Sequence, residues 1–163
     1  MNLWILAVSH LLHILGTVVW IGGILMTLLV ILPSTKAALE SAPVAGKMMK
    51  EVAKRFTPLA NLSILLLIAT GIIIFCYDKN YTSFLDIKNR WIVLIAIKHL
   101  LVAIMIIIHF YRGLILSQKI EKSSLNPNET QTIKLKKLSL DLVKANFVLG
   151  IMVLLFTAVS ISI

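Results

Sequence analysis

An all-α membrane protein is the fold class this sequence predicts: a four-helix transmembrane bundle with up-down topology and both termini outside. Three observations carry it. Hydrophobic residues make up 59% of the 163-residue chain, mean hydropathy is +0.96, and charged residues are only 14%, where a soluble domain carries about 25%. Four apolar runs are each long enough to cross roughly 30 Å of hydrocarbon, which takes about 20 helical residues. The basic residues gather in the short stretches between those runs. The net charge of +9 therefore reads as a topology signal, and no nucleic acid is expected as a partner.

In order, the spans are about 3–32, 57–77, 91–117 and 143–163, in a single transmembrane domain covering 1–163. Each must be helical, because lipid satisfies no open backbone. The first run lacks a basic leader and a small-residue cleavage site, so it reads as a retained span that stops at Pro33. The second opens at RFTP (55–58), with Pro58 in the first turn, where a missing N–H costs nothing. Ahead of it, VAGKMMKEVAKR (44–55) reads as a helical extension outside the membrane. SSLNPNETQ (123–131) is a loop rich in turn formers. No internal repeat is visible. Cys76 is the sole cysteine, which excludes an internal disulfide.

Orientation follows from Lys and Arg. Lys36, Lys47, Lys50, Lys54 and Arg55 follow span one. Arg112, Lys119, Lys122, Lys134, Lys136, Lys137 and Lys144 lie between spans three and four. The middle loop has only Lys79, Lys88 and Arg90. Twelve against three puts the two basic loops in the cytoplasm, in a bacterial or archaeal inner membrane.

Depth then follows at 1.5 Å per residue. His10 and His13 lie about 10 and 15 Å in from the outer end of span one, and Lys98 and His99 about 10–12 Å into span three. His109 lies about 27 Å in, near the cytoplasmic face. Three of four histidines thus share one layer on two helices, and intramembrane ionisable groups are rare and usually functional. Spans one and three are diagonal in an up-down bundle, roughly 12–14 Å apart given the usual helix spacing. A haem with two axial histidines fits that gap. His10 and His13, at i and i+3, would meet the same face of the ring, so the expected axial pair is His13 with His99. Gly16 makes room for a porphyrin edge, Trp20 supplies an apolar wall, and Thr17, one turn below His13 or two below His10, accepts an Nδ1–H and fixes a ring tautomer. Arg90, Lys88 and Lys98 face the propionates. His10 is an alternative ligand, and His109 serves a possible second haem or sits at the interface.

At this point the sequence resembles the CopD-like family of bacterial membrane proteins. HLLHILGTVVWIGGILMTLLVILP (10–33) is similar to that family's first span, RFTPLANLSILLLIATG (55–71) to its second, and WIVLIAIKHLLVAIMIIIHFYR (91–112) to its third, with Lys98 inside the span and Arg112 at its end. The resemblance implies a four-helix unit linked to copper. A more distant similarity is to HemJ-type protoporphyrinogen oxidase, which implies roles for His13, Lys98 and His109. That family's histidine two residues before the Lys is here Ala96, and His99 follows the Lys instead.

The leading expectation is a b-type membrane cytochrome, carrying electrons from a membrane quinol to an outer-face partner through one haem b. It is a redox subunit more than a stand-alone enzyme. Its partners are the bilayer, a quinone or redox protein, and a larger respiratory complex or a second copy. The first alternative is copper binding or transport, with His10, His13 and His99 on one ion, since imidazole suits copper. The second is the HemJ-like oxidase.

Overall fold

The computed structural model describes residues 3–39, 41–77, 90–125 and 129–162, and every apolar run is helical. Lys79 and Lys88 lie outside the described residues, as does the centre of the expected loop, 126–128. Four helices are long and apolar enough to cross a membrane: Leu3–Ala38, Pro43–Cys76, Arg90–Ser124 and Thr130–Ser160. Among the described residues there is no strand.

The helices run further than the apolar stretches, and the prolines show how. Span one continues past Pro33. Helix α1 (Leu3–Met26) passes through a π-helical turn (Thr27–Ile31) into α2 (Leu32–Ala38). In that turn the Leu32 N–H reaches back five residues to the Thr27 carbonyl. The wider turn stands just ahead of Pro33, whose ring would clash with the carbonyl four residues back in an ordinary helix. A π-turn thus does what the sequence reading assigned to a helix stop. Pro58 is likewise interior. Helix α3 (Ala42–Cys76) begins with Pro43 in its first turn, so the extension 44–55 and the span are one continuous helix. Pro58 removes the donor to the Lys54 carbonyl, and next to it the Thr57 hydroxyl donates to the Ala53 carbonyl at 2.7 Å.

The chain divides into two compact units, Met1–Leu85 and Asp86–Ile163. In the first, α1 and α2 fold back on α3 across residues 39–41. The contacts are antiparallel: Thr35 with Met48, Gly23 with Phe56, Gly16 with Ser63 and Leu67, His13 with Thr70. Its core holds Trp20, Ile21, Ile24, Ala60 and Ile64. A Cβ on Gly16 would sit 3.3 Å from the Ser63 carbonyl and 3.2 Å from Leu67, so the absent side chain is what lets the helices close up.

The second unit follows the same plan. Helix α4 (Arg90–Phe110), a π-turn (Tyr111–Leu116) and α5 (Ser117–Leu125) fold back on α6 (Glu129–Ile161). Ser123 meets Thr132, Arg112 meets Ser139 and Met105 meets Asn146. The segment lengths are 24, 5, 7 and 35 residues in the first unit and 21, 6, 9 and 33 in the second. The two units thus share an order of segments of similar length, which the sequence does not show as a repeat. The expected loop 123–131 is shorter than its composition implies, because α5 and α6 take up all of it but 126–128.

Large apolar side chains stand exposed along the spans, among them Leu11, Val18, Leu62, Leu65, Leu100 and Leu155. Lipid is the solvent for such faces, and the chain is a multi-pass membrane protein in contact with the bilayer. The buried polar groups lie within each pair. Asn146 is 2% exposed; its Nδ2 donates to the Met105 carbonyl at 3.3 Å, while its Oδ1 has no hydrogen-bond partner among the described residues. A long bond gained and an acceptor left over predict that Asn146→Leu keeps or raises stability, by up to about 1 kcal/mol. Thermal unfolding in detergent checks this, and a fall in Tm of several degrees would contradict it.

Candidate functional site

His13 lies on α1 with its ring against α3. Gly71 opens the space: a Cβ there would come within 3.5 Å of His13 Cε1. The Nδ1 atom is 2.9 Å from Thr70 Oγ1. The Thr70 hydroxyl donates its single hydrogen to the Leu66 carbonyl at 2.6 Å. Toward His13 it is therefore an acceptor, and Nδ1 carries the proton. The basic lone pair of the neutral ring is on Nε2, the nitrogen a metal ion takes. Thr70 is 4% exposed, so water competes little for this bond.

The expected orienting residue, Thr17, does something else. Its hydroxyl donates to the His13 carbonyl at 2.9 Å, one turn back on its own helix. A helical Thr has a carbonyl four residues back within easy reach, so Thr17 serves its own backbone and Thr70 takes the ring. Sequence reasoning passed over Thr70, although a register signal was there. A hairpin folded about residues 39–41 brings residue 13 level with residue 70.

His99, on α4, reaches the same state by a local route. Its Nδ1 is 2.7 Å from the Ile95 carbonyl. A carbonyl only accepts, so Nδ1 donates and Nε2 again holds the lone pair. The His99 side chain is exposed, as is that of His10, and Lys98 is half-buried. Arg90 is exposed at the start of α4. His109 is half-buried, edge-on to Phe110 with ring centroids 5.4 Å apart. Gly16 and Trp20, expected to cradle a porphyrin, are buried, Trp20 at 1% exposure. Leu67 and the Ser63 carbonyl take the space beside Gly16, so that face does not fit a porphyrin edge. On each ring taken by itself, Nε2 is the nitrogen that a metal ion takes. Among the described residues no group of three or more His, Cys, Asp and Glu side chains comes together.

Residues 50–160, more than half of the chain, match a family model described as copper resistance protein D. The matched stretch contains Thr70, Lys98, His99 and His109 and starts after His10 and His13. No curated protein and no solved structure matches the chain.

Proposed function

The chain belongs to the copper resistance protein D (CopD) family, and from that premise we propose that it handles copper in the membrane, binding the ion through imidazole Nε2 nitrogens. Copper is the cargo. His13 is the principal ligand, in the first unit, and His99 is a candidate ligand of the second unit, its ring prepared in the same way. The observation that supports this reading is the relay from His13 Nδ1–H to Thr70 Oγ1 and from the Thr70 hydroxyl to the Leu66 carbonyl. A relay of that kind, with Thr70 buried at its centre, holds a ring in one tautomer, with the metal-binding nitrogen fixed. Imidazole nitrogen is a good donor for copper. With both termini outside, His10, His13 and His99 stand in the outer half of an inner-membrane protein, so the ion enters from the outer face.

The cytochrome reading assigns the histidines to haem b, with a quinol as donor. The filled space beside Gly16 counts against it. The test is metal analysis of the detergent-purified protein, with absorption spectra before and after dithionite. Bound copper without a Soret band is expected. A Soret band with a sharp reduced α band and no copper would overturn the copper reading and restore the cytochrome. Neither copper nor haem after growth with both would overturn each.

A further inference from the structure

The second unit carries a cleft of about 390 Å³ between α5 and α6, lined by Lys119, Lys122, Ser123, Gln131 and Leu135. Its depth follows from the helix before it. Residues 91–116 span about 39 Å as a helix. A bilayer with its interfacial regions is about 40–45 Å thick, so α5 emerges at headgroup level.

Lys119 and Lys122, three apart on α5, share one face. Glu121 is off that face and does not line the cleft. Both lysines are exposed, and so are Lys134, Lys136 and Lys137 on the facing helix. The hydroxyls of Ser123 and Thr132 meet at 2.8 Å and hold α5 to α6. Gln131 adds amide donors, and Leu135 adds an apolar wall. The cleft thus combines two cations on one side, a neutral donor on the other and an apolar lip beside the hydrocarbon.

We propose that this cleft binds a phosphate-bearing anion, with the phosphate between the Lys119 and Lys122 ammonium groups. An anionic lipid headgroup and free phosphate share that chemistry. The site is separate from the histidine relay and stands whether or not the copper reading does.

The test is native mass spectrometry of the full-length protein in mild detergent. It is run with phosphatidylglycerol, with zwitterionic phosphatidylcholine, and with inorganic phosphate alone. Phosphatidylglycerol is expected to stay bound and phosphatidylcholine not. Lys119→Gln/Lys122→Gln should weaken binding roughly thirtyfold, from about one kcal/mol per lysine near a membrane surface. Gln131→Glu, which leaves both lysines in place, should weaken it in the same direction. Lys47→Gln/Lys54→Gln, on the exposed part of α3, should leave it unchanged. If inorganic phosphate binds alone with the same sensitivity to the two lysines, the ligand is free phosphate; if only the lipid binds, it is a headgroup. Equal loss in the α3 variant, or full binding by Lys119→Gln/Lys122→Gln, would overturn the proposal.

Discussion

Thr70→Val is expected to lower copper affinity by about 10–100-fold, the usual cost of removing the partner that orients a metal-ligating histidine. His13→Ala should lower it further, because the ligand itself is gone. Valine copies the shape of threonine but accepts no hydrogen bond. The His13 Nδ1–H then loses its acceptor in a place that is 4% exposed at residue 70. The ring regains a partner only by turning or by moving its proton to Nε2, and either change takes the lone pair from the metal. Thr70→Ser keeps the acceptor and should restore binding. Thr17→Val is the control, because the Thr17 hydroxyl is spent on the His13 carbonyl and not on the ring. Copper titration of the purified variants, with Tm measured alongside, separates lost orientation from lost folding. Unchanged affinity in Thr70→Val would remove the relay, and unchanged affinity in His13→Ala would remove His13 from the site. Equal losses in Thr70→Val and Thr70→Ser would remove the relay.

The second large effect is expected at Gly23. A Cβ there would overlap Cε2 and Cζ of Phe56, so the ring must shift for an alanine to fit. Overpacking of this kind costs about 1–3 kcal/mol. Gly22 is the contrast one residue away, where a Cβ meets nothing within 4 Å. Gly22→Ala should be neutral or stabilising, since alanine exceeds glycine in helix propensity by up to about 1 kcal/mol. Phe56→Ala removes the obstacle, so Gly23→Ala/Phe56→Ala should be more stable than the two single losses imply, with a coupling of about 0.5–3 kcal/mol. Tm values for the four proteins close the cycle. Additive losses would mean that Phe56 does not pack on Gly23.

The membrane class, the number of helices and their approximate centres were legible in the sequence, because apolar length alone dictates them. The helix ends were not. By its local chemistry Pro33 reads as a helix stop and Pro58 as a helix start. A π-turn absorbs the first, and the second lies within a continuous helix (Ala42–Cys76). Such accommodation depends on backbone geometry that composition does not encode. The shared order of segments in the two units was hidden for a related reason. Lipid-facing positions accept almost any apolar residue, so two like hairpins can lose sequence likeness while the π-turn remains. At the site, the unusual residues were visible and their partners were not. His13 stood out as a polar ring in an apolar run, whereas Thr70, 57 positions away, looked like one more small polar residue of a span. His99 needed no distant partner, since its acceptor is a carbonyl one turn back.

The brevity of the return at residues 39–41 bears on how the chain enters the bilayer during synthesis. Ser63 and Thr70 are buried polar residues of α3, and the surface that covers them belongs to α1 and its neighbourhood. Delivered alone, α3 would present that stripe to acyl chains. With so few residues between them, the two helices leave the ribosome almost back to back, and the hydroxyls find their cover before they meet oil. The hairpin, and not the single helix, is then the natural parcel of insertion, and the chain delivers that parcel twice.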